Sequence, residues 1–195
     1  RLVGNCCLSI CQPFASITSA TTRILTSSEE SEKMDACGSP KIVNSGINAI
    51  PFKNLYATPI TLGIDRIVLA AGATLKYPKQ SRLVIDAGTC ITYDFINNQD
   101  QYHGGAISPG IALRYKSLND YTANLPLEKI SELHPFVGNS TSGSIQSGIL
   151  NGTVAEIEAF IDHFKQQDEN LTVILTGGNS EFLVNRLKNS IFANP

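Results

Sequence analysis

The residues with the most chemistry to offer lie mid-chain, in two short groups. The first is Gly63-Ile64-Asp65-Arg66; the second is Asp86-Ala87-Gly88-Thr89, with Thr92 and Asp94 close behind. In the second group, Gly88 can take backbone geometries that other residues avoid, and the Thr89 hydroxyl and amide lie beside the Asp86 carboxylate. A small, donor-rich turn with an acid at its mouth suits a phosphate held through a cation. The carboxylate alone would repel phosphate oxygens, so Asp86 makes sense there only with a metal or monovalent cation in between. The same Asp-x-Gly-Thr is also an ordinary hairpin turn, and taken alone that is what these residues most often make. In the first group, an acid in the opening turn of a helix complements the helix dipole, which is the plain role of Asp65. An arginine directly after it is less expected and could grip an anion.

Both groups need elements to hold them. Ile64, Val68, Ala71 and Leu75 recur at helical spacing and predict a buried stripe on a helix ended by Tyr77-Pro78, which puts Gly63, Asp65 and Arg66 at its start. Leu83-Val84-Ile85 is a run of β-formers, and the residues after the turn alternate, with Ile91, Tyr93 and Phe95 on one side and Cys90, Thr92 and Asp94 on the other. The pattern predicts a hairpin. An Asn97-Asn98 turn and a third strand near Gln101-Tyr102-His103 follow. Gly104 to Gly110 then reads as a glycine-rich loop that fits neither the Walker A pattern nor the dinucleotide fingerprint. Ile111, Tyr115 and Leu118 open another helix. Thr141 suits the N-cap of a long helix whose core stripe is Leu150, Val154, Ile157, Ile161 and Phe164. Leu171 to Leu175 is a buried strand feeding Thr176-Gly177-Gly178-Asn179 and a last helix marked by Leu183, Leu187 and Ile191. Such a strand-glycine-helix junction suits a nucleotide, and is equally a way to pack a helix closely on a sheet. Hairpins followed by helix and strand units predict an α/β domain with a mixed sheet.

Composition narrows the partners. With 195 residues, 42% of them hydrophobic, the chain can bury a real core. A formal charge of -2 with 16% charged residues offers no basic face for nucleic acid. No apolar run is long enough to span a bilayer and the first residues lack a signal-peptide pattern, so the expectation is a cytoplasmic protein acting on small molecules. Five cysteines do not suggest a disulfide scaffold, and Cys6-Cys7 with Cys11 lacks the second knuckle of a zinc site. His103 and His134 have no metal-ligand spacing. In the first fifty residues, Arg23 to Ser28, Glu29 to Cys37 and Lys41 to Asn44 suggest a βαβ piece, and Gly4 to Thr22 shows no clean period.

Taken together, the motifs match one family. Tyr56-x-x-Pro59-x-x-Leu62-Gly63-x-Asp65-Arg66, then Asp86-x-Gly88-Thr89-x-x-Thr92-x-Asp94, then Gly104-Gly105-x-Ile107-x-Pro109-Gly110, Thr141 and Thr176-Gly177-Gly178 resemble the type III pantothenate kinases, over about Pro51 to Pro195. The resemblance implies the duplicated ribonuclease-H-like fold of the actin and sugar kinase superfamily, with mixed sheets flanked by helices. Its halves would be residues 1–80, apparently incomplete, and 81–195. It implies ATP-dependent phosphorylation of pantothenate to 4'-phosphopantothenate, the first step of coenzyme A synthesis, in a cytoplasmic homodimer using Mg2+ and a monovalent cation, K+ or NH4+. Carried over by position, Asp65 would take the proton from the pantothenate hydroxyl. Tyr56, Gly63, Ile64, Asp65, Arg66 and Thr141 would hold pantothenate, Asp86 would bind the monovalent cation, and Thr89 would touch ATP. Gly177 and Gly178 would form the adenosine-side loop.

One departure stands out. The family opens with a strand carrying Asp-x-Gly-Asn-Thr, whose acid organises magnesium; here only Val3-Gly4-Asn5-Cys6 is found, without acid or threonine. Either the molecule has residues beyond those shown, which the ending at Asn194-Pro195 favours, or the chain is a catalytically inactive relative acting as a regulatory or binding protein. A kinase of the same superfamily acting on another small alcohol or sugar is the third reading.

Overall fold

The computed structural model describes residues 50–131, 135–189 and 192–193. The expectations for the first fifty residues, the three N-terminal cysteines and His134 fall outside them.

In chain order the elements are β1 (Lys53–Asn54), a single 3-10 turn (Pro59–Thr61), α1 (Ile64–Lys76), β2 (Arg82–Ala87), β3 (Cys90–Ile96), β4 (Gln101–Pro109), α2 (Ile111–Asp120), α3 (Thr141–Gln167), β5 (Thr172–Thr176), α4 (Ser180–Val184) and β6 (Phe192–Ala193). The strands form one six-stranded sheet in the order β1-β4-β3-β2-β5-β6. β2, β3 and β4 form an antiparallel meander, while β1 on β4, β5 on β2 and β6 on β5 are parallel, so the sheet is mixed as predicted. Of the expected first half only residues 50–80 are described; their β1 and α1 pack on the sheet built by later strands.

The period-2 pattern decides what each face holds. Leu83, Ile85 and Ala87 of β2 and Ile91 and Tyr93 of β3 point into an apolar layer with α2, α3, β5 and Leu183 of α4. There Tyr93 stacks on Phe160 and Phe95 on Phe164, with centroids 4.1 and 4.5 Å apart. Val84, Ile96, Tyr102 and Ile174 point the other way, against Ala70, Ala71 and Ala73 of α1. Asp86 and Asp94 share this second face, because each lies an even number of residues from Val84 or Ile96.

Several expectations need correcting. The α1 helix forms as predicted, but its inward face is Arg66, Ala70, Ala73 and Thr74, with Ala71, whereas Ile64 and Leu75 are 47% and 43% exposed. The reason is electrostatic and steric: Arg66 is drawn inward by a buried acid, and alanines let the helix axis come close to the sheet. Residues 104–109 are not a loop; β4 runs through them to Pro109. Glycine makes that possible, since a Cβ on Gly105 would lie 1.7 Å from the Tyr93 carbonyl oxygen. The N-cap of α3 is Ser140, whose hydroxyl accepts from the Gly143 amide, so Thr141 is the first helical residue. The last helix is short, ending at Val184, so Leu187 lies beyond it.

Candidate active site

At the C-terminal end of β2, three glycine-bearing segments converge on Asp86. The hairpin turn Gly88-Thr89 follows it directly, and the Gly110 amide at the end of β4 donates to the Thr89 carbonyl at 2.9 Å. On the other side Gly177, after β5, has φ +93 and comes so close that a Cβ there would lie 2.4 Å from the Asp86 carboxylate and 2.7 Å from the Ala87 backbone. Only glycine combines that backbone conformation with that approach. The Asn179 amide donates to the Ala87 carbonyl at 3.0 Å and fixes the junction.

Asp86 is half-buried, and its pKa is raised, first by burial and then by the charges of Asp65 and Asp94. α1, which carries Asp65 in its first turn, packs on the face of the sheet that bears Asp86, and the Asp65 charge contributes to that shift. Asp65 itself is exposed in the first turn of α1. One of its oxygens, Oδ1, accepts from the Arg66 amide at 2.9 Å and leans over Gly63, where a Cβ would meet it at 2.4 Å. Gly63, having no side chain, leaves the room that this carboxylate orientation needs.

Arg66 turns inward. Its Nε and Nη2 donate to Asp94 Oδ1 at 2.9 and 2.7 Å. Asp94 is fully buried, and the Tyr102 hydroxyl donates to the same oxygen at 2.5 Å, while Thr92 donates to Oδ2 at 3.3 Å. Burial works against the Arg66 charge, yet hydrogen bonding and attraction to Asp94 outweigh it and raise its pKa above the ordinary arginine value. The guanidinium lies 5.7 Å from the centre of the Tyr56 ring. Tyr56 in turn rests on Gly104, where a Cβ would come within 2.7 Å of the ring.

Tyr56, Gly63, Ile64, Asp65, Arg66 and Asp86 thus gather on the α1 face, with Thr89 exposed at the adjoining turn. Thr141 does not join them within the chain. It is exposed at the start of α3, the helix whose apolar stripe packs on the opposite face, and no hydrogen bond among the described residues links it to the Asp65 group. The Gly177-Gly178 junction is not an open helix terminus either, because α4 has five residues and the Asn179 and Ser180 amides are engaged within the protein. Sequence reading assigned no role to the partners of Arg66. Alternation placed Asp94 on the correct face, but nothing local pairs it with a helix residue 28 positions earlier or with Tyr102.

Asp86 thus has a pKa raised by burial and by the charges of Asp65 and Asp94, and no hydrogen bond to its carboxylate is found among the described residues. Hard carboxylate oxygens of this kind would suit a monovalent cation, with Asp86 as the residue to hold it. Among the described residues there is no cluster of three or more His, Cys, Asp or Glu able to hold a metal ion.

Comparison with known proteins gives the family. The family model for type III pantothenate kinase matches residues 12–163. The chain is 62% identical over 144 residues to a type III pantothenate kinase of Flavobacterium johnsoniae, covering 74% of this chain and 59% of the relative. It is 54% identical to that of Flavobacterium psychrophilum, covering 75% of this chain and 61% of the relative. Against the Porphyromonas gingivalis protein of the same name the identity is 36%, over 86% of this chain and 70% of the relative. The chain thus spans about three fifths of the length of the first two relatives. A family model that matches most of the chain, and relatives of the same name at 62% and 54% identity, make this chain a member of the type III pantothenate kinase family.

Proposed function

We propose that this chain carries the substrate and cation side of a kinase that transfers phosphate from ATP to the hydroxyl of pantothenate, the first step of coenzyme A synthesis. The observation that carries the reading is that exposed Asp65 begins the helix packed on the face of the sheet that bears half-buried Asp86, and its charge acts on Asp86. A primary alcohol is a poor nucleophile at neutral pH. Asp65 accepts its proton as the alcohol oxygen bonds to the terminal phosphorus of ATP and the bond to the ADP oxygen breaks, which contributes roughly a hundred- to ten-thousand-fold. Tyr56, Gly63, Ile64 and Arg66 position pantothenate, Arg66 through the anionic end of the substrate. Thr89 and the Gly177-Gly178 junction border the phosphates and the nucleotide. Asp86 would hold K+ or NH4+, which supplies positive charge beside the transferring phosphate.

Magnesium would be held by the acid of the Asp-x-Gly-Asn-Thr loop that the family resemblance implies. The wider frame of the proposal is a duplicated ribonuclease-H-like enzyme working in the cytoplasm as a homodimer. Among the described residues no helix is long and apolar enough to cross a membrane. Thr141 takes part in pantothenate binding only if assembly or closure brings it to the α1 face.

The test is turnover of pantothenate by the full-length protein with ATP, Mg2+ and K+. Expected is ATP-dependent phosphorylation that Asp65→Asn lowers at least a hundred-fold without changing the melting temperature. Absence of turnover, or full activity in the Asn variant, would reject the reading.

A further inference from the structure

We infer that Asp94, assisted by Tyr102 and Thr92, is a positioning residue. It locks the Arg66 guanidinium so that the enzyme selects alcohol substrates bearing a carboxylate. The inference rests on the kinase reading above and adds to it a determinant of specificity that touches no substrate.

The argument begins with cost. Asp94 is 0% exposed and Arg66 6%. Removing an ion pair from water is expensive, and well-packed apolar residues in its place are often equally or more stabilising. Simple packing of α1 on the sheet would therefore be met by the alanines that already line it. What the polar cluster adds is orientation. Two hydrogen bonds from Arg66 to one carboxylate oxygen, a third from Tyr102 and a fourth to the other oxygen from Thr92 leave the acid with one arrangement. The guanidinium is then fixed by the acid along its Nε and Nη2 side and flanked by the Tyr56 ring, while Nη1 stays outside the ion pair.

A free arginine side chain samples many rotamers, which binding would otherwise have to narrow to one. Here folding has already done so. Arg66 also follows Asp65 directly, so an anion held by the guanidinium sets the distance from the substrate's anionic end to the proton-accepting carboxylate. A planar donor fork is suited to a carboxylate, the one charged group of pantothenate.

The experiment measures kcat and KM for pantothenate, for its carboxylate-free alcohol analogue and for ATP, using full-length wild type, Asp94→Asn and Tyr102→Phe. Asp94→Asn is expected to raise KM for pantothenate about 10- to 100-fold, with kcat and the ATP KM within about two-fold of wild type. The analogue KM should not change, so discrimination between acid and alcohol disappears. Tyr102→Phe keeps the ion pair and should raise the pantothenate KM several-fold. Since Asp94→Asn leaves a buried guanidinium without its counter-charge and can prevent folding, the paired variant Arg66→Met with Asp94→Leu provides a second route. It should fold, and should treat acid and alcohol alike.

An unchanged pantothenate KM in folded Asp94→Asn and in Tyr102→Phe would overturn the inference and leave the kinase reading standing. So would an equal loss for acid and alcohol, which would mean a merely structural role, or continued discrimination by the apolar pair. A wild type that neither phosphorylates nor binds pantothenate would overturn both.

Discussion

Asp86 and Glu156 are partly buried carboxylates on opposite faces of one sheet, and their surroundings could hardly differ more. Glu156, on α3, receives Tyr93 at 2.8 Å and Ser108 at 2.5 Å on one oxygen and Arg114 at 2.6 Å on the other. Burial alone would raise its pKa, but the hydrogen bonds and the Arg114 charge lower it below the ordinary value. Asp86 has burial and two like charges, and its pKa is raised. The first is a strut tying α2, α3 and β4 together. The second is an acid left short of positive charge beside three glycine-bearing segments. The contrast separates a carboxylate whose hydrogen bonds tie elements together from one whose charge, in the proposed reading, a bound cation would complete.

The faces differ in filling as well. Large side chains such as Tyr93, Ile157 and Ile161 pack the α3 side, while α1 meets the sheet through alanines and an ion pair. The largest test of this contrast is Ile157→Ala. Ile157 is 0% exposed, and the cavity should cost about 2–5 kcal/mol in chemical denaturation, with KM for pantothenate unchanged in protein that remains folded. Loss of substrate binding at unchanged stability would show that the faces are not separable.

Gly177→Ala comes next. The positive φ costs about 1–3 kcal/mol for a residue with a side chain, and the new methyl group would push on Asp86. Potassium activation should fall together with melting temperature. Gly178→Ala, where a Cβ meets nothing within 4 Å, should leave the melting temperature unchanged.

Glu156→Gln should lower stability by about 1 kcal/mol at neutral pH, since it weakens charge-assisted bonds at a partly exposed site. Because the folded pKa lies below the unfolded value near 4.5, this contribution is present above that pH and lost as pH falls through the folded pKa. Urea titrations of the two proteins should therefore converge in acid; a constant gap would rule out the ionic contribution.

Asp86→Asn should give the smallest change, of opposite sign. With its folded pKa above the unfolded one, ionised Asp86 destabilises the protein as pH rises through that folded value. In buffer free of monovalent activator the variant should melt slightly higher than wild type at neutral pH, and added potassium should stabilise wild type only. A lower melting temperature would mean that Asp86 already has a compensating partner.

Much of the scaffold was legible from period and punctuation. Alternation after Gly88 put Ile91, Tyr93 and Phe95 on one face and Thr92 and Asp94 on the other, and Tyr77-Pro78 marked the end of α1. The reading failed where identity and environment conflict. The α1 stripe was assigned to Ile64 and Leu75 because they are apolar, although helix rotation is governed by Arg66 meeting a buried acid. Glycines after Tyr102 suggested a loop, although the absence of side chains is what lets β4 lie against β3. Asp65, Arg66 and Asp86 were singled out by their motifs. Asp65 and Asp86 were expected in one site; the pairing of Arg66 with Asp94 was not.

Local periodicity and short motifs were enough to predict the hairpin, the presence of helices, the faces to which the β2 and β3 residues point and the family. Only the tertiary structure decided that Asp94 holds Arg66, that Gly177 abuts Asp86 and that Thr141 begins a helix on the opposite layer. Charge pairing and close backbone approach act through space between residues far apart in the chain, and neither leaves a local pattern to read.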